Sequence, residues 1–137
     1  TTPTTEENSV HFGISAVTGD LTVAVGFADG DSIATQDSTT SNDVQVDGEV
    51  VKAGVKYVSG DLTFNVGLTS GTAQDSTTIG TGGTTEDSKD VTSASVSYAV
   101  ASGVTAIIGY TDVDSSNEGI NDTTDGSAWY IGANMSF

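Results

Sequence analysis

Apolar and polar residues alternate along this chain with a period of two. At the carboxyl end every second position from Trp129 to Phe137 is apolar, and the positions between them are polar or small. This periodicity is typical of a β-strand with one apolar and one polar face. Similar alternation occurs in six earlier segments, at residues 8–17, 21–28, 49–58, 62–69, 93–100 and 104–111. With the last segment, residues 127–137, the pattern predicts seven strands and an all-β protein.

Short turns and long polar segments alternate between the predicted strands. The turns are residues 18–20, 59–61 and 101–103, and each contains a glycine that can supply a positive φ angle. The polar segments 29–47, 70–90 and 112–126 are expected to be long loops. Residues 18–22 and 59–63, TGDLT and SGDLT, are near copies, so the chain is an internal repeat of hairpins. We therefore predict one region, residues 1–137, folded as an up-and-down antiparallel meander.

The distribution of charge indicates which solvent touches the apolar face. The chain has 19 acidic residues and three basic ones, a net charge of −16, and no carboxylate lies at the centre of a predicted strand. Strands of about ten residues, tilted by about 40°, cover the roughly 25 Å apolar band of a transmembrane barrel. A soluble sandwich, such as a secreted adhesin module, shows the same alternation, but soluble strands average about 5–6 residues. These features favour an antiparallel transmembrane β-barrel.

Eight of the nine aromatic residues share the apolar face, and they fall near the ends of the predicted strands. Aromatic girdles of this kind mark the two membrane interfaces of outer-membrane barrels. A soluble core would hold its large aromatics at mid-strand instead, where burial is deepest. The predicted girdle near the long polar segments comprises Phe12, Phe27, Tyr110 and Trp129, and the girdle near the turns comprises Tyr57, Phe64, Tyr98 and Phe137.

Together these features resemble the bacterial outer-membrane porins, particularly the general diffusion porins of Gram-negative α-proteobacteria. The resemblance rests on the hairpin architecture, the GDLT-type turns and the closing segment YIGANMSF, residues 130–137, and it covers nearly the whole chain. That family forms trimers of water-filled barrels. The resemblance therefore implies the outer membrane of a Gram-negative bacterium, and passive diffusion of ions and small hydrophilic solutes as the function.

Seven strands are too few for a complete porin. A barrel with an aqueous channel has roughly 16–18 strands, and bacterial single-chain barrels have an even number. We expect the carboxyl-terminal portion of a barrel of about sixteen strands. An open sheet in lipid leaves unpaired edges, so the expected partners are outer-membrane lipid, the amino-terminal remainder of the same barrel and further copies in a homotrimer. Nucleic acid is not expected, because its binding needs basic patches.

Residues on the polar face of the predicted strands are candidates for the pore wall. Lys52 and Lys56 lie four residues apart on one predicted strand. They are either a basic strip that biases ion passage or neutralisers of nearby carboxylates, and both interpretations stay open. His11 has no second histidine and no cysteine in the chain with which to form a metal site, so we assign it to the wall. The candidate set is His11, Lys52, Lys56, Asn65, Tyr130 and Asn134.

Catalytic and metal-binding signals are sparse. Clustered carboxylates can bind Ca²⁺, which makes Asp29, Asp31, Asp112 and Asp114 candidate ligands in the expected loops. No EF-hand spacing is present, and solvated outer loops are the simpler interpretation. No other cofactor is expected. No Gly-x-Ser-x-Gly motif or other catalytic constellation occurs, so we expect no enzyme. The alternative to a pore is a non-conducting outer-membrane or surface protein, an adhesin, anchor or phage receptor, acting through its acidic loops.

Overall fold

A single antiparallel sheet of seven strands makes up the fold. The computed structural model describes residues 4–35, 44–76, 85–117 and 122–136. The strands are β1 (Thr4–Thr18), β2 (Leu21–Thr35), β3 (Val44–Ser59), β4 (Leu62–Ser76), β5 (Thr85–Ala101), β6 (Val104–Asn117) and β7 (Asp122–Met135). Each strand pairs only with its neighbours in sequence. The predicted up-and-down meander is confirmed, and the sheet is open, as a part of a barrel would be.

The strands are longer than the alternation of apolar residues predicted. They contain 14 to 17 residues, and the extra length lies at the ends away from the turns. For example, β2 continues to Thr35, whereas its regular alternation of apolar residues is interrupted after Phe27 by Asp29 and Asp31. The reason is that ladder hydrogen bonds need only two extended backbones, so polar residues can continue a strand. The assignment of residues 29–47, 70–90 and 112–126 entirely to loops was therefore wrong.

The three tight turns are confirmed. Gly19, Gly60 and Gly103 adopt φ angles of 57°, 58° and 76°, in the left-handed region that favours glycine. Thr18 pairs with Leu21, and Ser59 pairs with Leu62, so two residues suffice for each of these connections. The first turn is also tied to the next hairpin, because the backbone N–H of Val58 donates to the carbonyl of Asp20 at 2.9 Å.

The register keeps apolar residues on one face through all seven strands. Phe12 lies opposite Phe27, which lies opposite Val51. Farther along the sheet, Ala94 pairs with Tyr110, and Tyr110 pairs with Trp129. A shift of one residue in any ladder would move that strand's apolar residues to the opposite face, so burial of the apolar face in one solvent specifies the register.

No hydrophobic core exists among the residues whose burial the structure describes. Side chains at the centre of the apolar face are open, with Val66 49% and Leu68 52% exposed. In a soluble sandwich such residues would pack against a second sheet about 10 Å away. An apolar surface of this extent marks an interaction with a partner or a membrane. The soluble sandwich therefore does not fit the described sheet. No helix within the described ranges is long and apolar enough to cross a membrane.

Replacing Gly60 tests the turn. Gly60→Ala should lower the free energy of unfolding of the intact protein by about 1–2 kcal/mol, the usual cost of a left-handed conformation with a side chain. An added Cβ would meet no atom within 4 Å, so backbone strain alone acts. Gly60→Asn should lose less, because asparagine tolerates this conformation better. Urea unfolding in lipid vesicles measures the effect.

The matched control is Gly126→Ala. Its Cβ would also meet nothing within 4 Å, and its φ lies outside the left-handed region. Equal losses of stability in Gly60→Ala and Gly126→Ala would contradict the role assigned to the turn glycine.

Candidate functional site

The polar face of the sheet is the candidate functional surface. We define it as the strand positions that alternate with the apolar ones. The register places all six predicted pore-wall residues on it: His11 on β1, Lys52 and Lys56 on β3, Asn65 on β4, and Tyr130 and Asn134 on β7. Their positions agree with the alternation, while their roles in a pore stay predictions.

Three of these residues share one row across the sheet. Lys56 lies opposite Asn65, Asn65 opposite Ser95, Ser95 opposite Gly109, and Gly109 opposite Tyr130. The amide Nδ2 of Asn65 donates to Oγ of Ser95 at 3.3 Å. The row crosses five strands, a width of about 19 Å at ordinary strand spacing. It is a continuous band of polar and small groups along the wall.

Asn134 lies apart from this row. It is opposite Thr105, near the tight turn that connects β5 and β6. The structure therefore does not bring Asn134 together with the other candidates.

Tyr130 lies along the polar face and covers Gly109. A Cβ added at Gly109 would collide with the Tyr130 phenol ring, and Gly109 is buried although it stands on an open sheet. Glycine at this position therefore provides the space in which the ring lies. The sequence predicted the face of Tyr130 but not this contact, because cross-strand partners depend on a register that alternation alone does not specify.

His11 and Lys52 line one open depression on the polar face. Its volume is about 500 Å³, and its lining also includes Phe12, Gly13, Gly26, Phe27, Ala28 and Val50. Gly13 lies opposite Gly26, which lies opposite Lys52. The small residues leave a bare stretch of backbone between the two polar side chains. The depression can hold a small solute against the wall.

Lys89 is a polar-face residue that the sequence analysis missed. It lies on β5 opposite Gly71 of β4 and Ser115 of β6. The sequence pattern places it in the predicted loop 70–90, because the alternating apolar positions of β5 begin only at Ala94. Continuing the alternation backward from Ser93 through Val91 would have placed Lys89 on this face. All three lysines of the chain therefore lie on the polar face.

The aromatic residues of the predicted girdles meet in cross-strand pairs. The rings of Tyr110 and Trp129 are 4.9 Å apart between centroids, and those of Tyr57 and Phe64 are 6.5 Å apart. Phe12 lies opposite Phe27. These pairs lie on the apolar face, as does Tyr98 opposite Leu62. Phe137 is outside the described residues. Contact of the girdles with membrane interfaces stays a prediction.

Carboxylates continue the apolar face beyond the aromatic residues. The Ca²⁺ candidates lie in strands, so their placement in loops was wrong. Asp29 is opposite Glu49, Asp31 is opposite Asp47, and Asp114 lies between Asp90 and Asp125. We call this set, with Asp112, the acidic band. Tyr110 binds it from the aromatic side, because its hydroxyl donates to Oδ2 of Asp112 at 2.9 Å.

The acidic band shows no metal site in the described residues. No three His, Cys, Asp or Glu side chains there are grouped so as to hold a metal ion. Directly opposed like charges destabilise a pair of strands, and an ion between them would offset that repulsion. Binding of Ca²⁺ by Asp29, Asp31, Asp112 and Asp114 stays a prediction.

The open meander, with one apolar and one polar face, belongs to the class of outer-membrane β-barrels. Two solved structures share this fold: OmpT expressed in the outer membrane of Vibrio cholerae, and OmpTdeltaL8, its loop L8 deletion mutant. Each is 21% identical to the chain, with a TM-score of 0.68 over 96% of this chain. The match covers 42% and 44% of those proteins, so the chain spans less than half of their length. No family model and no curated protein matches the chain.

The comparisons confirm part of the sequence interpretation and correct another part. The fold is one found in Gram-negative outer-membrane proteins. This likeness in fold supports the predicted location in the outer membrane. The likeness supports an outer-membrane barrel but not the narrower resemblance to α-proteobacterial porins. The prediction that the chain is not an enzyme was wrong. The matching structures are of OmpT, and a likeness to OmpT over less than half of its length does not support a non-enzymatic assignment.

The contact between Gly109 and Tyr130 can be tested by a double-mutant cycle. Gly109→Ala should lower the free energy of unfolding by about 0.5–1.5 kcal/mol, because the new methyl group forces the half-exposed ring of Tyr130 out of its present rotamer. In a Tyr130→Ala background the same change should cost little, since the space is then free. Gly13→Ala is the control, because its Cβ would meet only a carbonyl oxygen at 3.6 Å. An equal cost of Gly109→Ala in both backgrounds would refute the contact.

The repulsion within the acidic band predicts a stabilising substitution. Asp114→Asn removes a charge that has a carboxylate on both neighbouring strands. It should raise the free energy of unfolding by up to about 1 kcal/mol at low ionic strength. The gain should shrink in about 1 M salt, where the Debye length is about 3 Å. Urea titrations of Asp114→Asn and of the turn control Asp61→Asn check this. A gain that does not depend on salt would argue against repulsion as its cause.

Proposed function

We propose that this chain is part of a porin, an outer-membrane barrel that forms a water-filled channel for passive diffusion of ions and small hydrophilic solutes. The observation that carries the proposal is the division of the sheet into two faces, with no hydrophobic core among the residues whose burial is described. Lipid is the solvent that suits the open apolar face, and water suits the other. A wall of polar and small side chains then borders an aqueous lumen.

The length relation supports a wide barrel. Seven strands correspond to 42% of the length of the matching OmpT chain. If strands are evenly distributed, the complete barrel has about sixteen or seventeen, within the range that leaves an aqueous channel. A small barrel of eight strands would have its interior filled by side chains. The strand count thus favours a pore over a plugged anchor.

The proposed partners follow from the edges of the sheet. In lipid, unpaired N–H and C=O groups of β1 and β7 would each cost several kcal/mol, so both edges need partner strands. We propose that the remainder of the same barrel supplies these strands and that lipid covers the apolar face. The homotrimer is proposed on the sequence resemblance to porins alone.

One observation favours a second function. The acidic band lies on the apolar face, in the strand ends beyond the aromatic pairs. It forms a charged surface there that a ligand outside the cell could contact. A non-conducting barrel that serves as an anchor, adhesin or phage receptor would use such a surface. The two functions differ in whether ions cross the barrel.

A blocking experiment on adjacent residues tests the channel. Thr69 lies on the polar face opposite Lys52, and the next residue, Leu68, lies on the apolar face opposite Ala53. This chain has no cysteine, so Thr69→Cys and Leu68→Cys are matched reporters. The intact protein, with any cysteine elsewhere replaced, is studied in planar bilayers before and after a bulky charged thiol reagent.

The expected result is stepwise conductance that falls on modification of Thr69→Cys and stays unchanged for Leu68→Cys. Only a side chain in the lumen can reduce the area open to ions when it carries a bulky group. Silence from a well-folded barrel would reject the channel and support the non-conducting surface protein. Equal block in both variants would reject the assignment of the faces.

A further inference from the structure

The three lysines of the chain all lie on the polar face of the sheet. Lys52 has Gly26 and Thr69 as cross-strand neighbours, and Lys56 has Thr22 and Asn65. Lys89 has Gly71 and Ser115. None of these six directly opposite residues is acidic. Asp20 lies near Lys56, because its carbonyl accepts from the N–H of Val58, and Asp87 lies two positions before Lys89, but Lys52 has no acid at its opposite or diagonal positions. The acidic band, in contrast, lies on the apolar side.

The acids of the polar face lie far from its central part. Glu7 and Asp87 lie in the halves of β1 and β5 that point away from the turns, and the register places the positions of Asp75 and Asp122 likewise. The carboxylate of Asp87 accepts a hydrogen bond from Asn117 at 3.1 Å. Asp20 and Asp61 lie in the turns. Between these two levels the charged residues of the described wall are cationic.

The depression lined by His11 and Lys52 lies in this cationic part. From the register, the two residues are two strands apart and offset by two positions, about 12 Å between Cα atoms. The glycine pair Gly13 and Gly26 lies in the same row as Lys52 and also lines the depression. The ammonium group offers three donors, and the imidazole offers at least one. A volume of about 500 Å³ holds a small solute together with some of its water.

We propose that His11 and Lys52 form an anion-binding niche on the pore wall, which takes small oxyanions such as phosphate or carboxylates and makes the channel prefer anions. The niche rests on the proposed channel function. The net charge of −16 would by itself suggest a preference for cations. Passing ions respond most strongly to the nearest charges, because charges more than a Debye length of about 8–10 Å away are largely screened.

Reversal potentials and block by phosphate test the niche. The intact protein is placed in a planar bilayer under a KCl gradient, and inorganic phosphate is then added. The reversal potential should show that chloride is more permeant than potassium, and phosphate should reduce the chloride current. Lys52→Gln should raise the half-blocking phosphate concentration about tenfold, the effect of losing one charge-assisted contact. His11→Ala should raise it less, and Lys52→Arg should retain block.

Two control variants separate the niche from general electrostatics. Lys89→Gln removes a polar-face charge outside the depression, and Asp125→Asn removes a charge on the other face of β7, four strands away from Lys52. Both should leave the half-blocking concentration within about twofold of the parent protein. Lys52→Arg also shows whether a loss in Lys52→Gln follows from the charge or from faulty folding.

The outcomes distinguish this niche from the channel itself. Silence from a folded barrel would overturn the channel, and the niche with it. Stepwise currents that favour potassium would overturn the niche while the channel stands. Stepwise currents with phosphate block that Lys52→Gln and His11→Ala leave unchanged would also overturn it.

Discussion

The requirement that every backbone N–H and C=O group find a partner governs this structure. In water a broken ladder hydrogen bond is replaced by solvent, but in hydrocarbon it is not, and each lost bond costs several kcal/mol. A continuous sheet meets this requirement with neighbouring strands alone. The side chains therefore do not have to pack into a core, and none of the described hydrophobic residues is buried. The hydrogen bonds between neighbouring strands hold this fold together, as the packed core does in a soluble domain.

The part of the fold that depends on period two was predictable from the sequence, and the part that depends on backbone pairing was not. The apolar stripe from Leu62 to Leu68 specifies a strand and its face, and the glycines of the turns specify the connections. The outer strand ends carry no such stripe, so residues such as Asp31 and Lys89 looked like loop residues. Hydrogen bonding to an adjacent strand keeps them extended.

The same distinction holds for the candidate site. Alternation placed Lys56, Asn65 and Tyr130 on one face, but only the register shows that they share a row. It likewise could not show that His11 and Lys52, which are 41 positions apart in the sequence, line one depression. Contacts across strands depend on stagger, a property of pairs of strands. A pattern within a single strand does not contain it.

Neighbour-only pairing has a consequence for how such proteins can change size. Each strand contacts only the strands before and after it in the sequence, so a whole hairpin could be gained or lost without rerouting any other segment. The near-identical TGDLT and SGDLT segments are what duplication of one hairpin would leave in a gene. The circumference of the barrel would then change in steps of two strands during evolution. The pore diameter would follow from the number of hairpins and would not vary continuously.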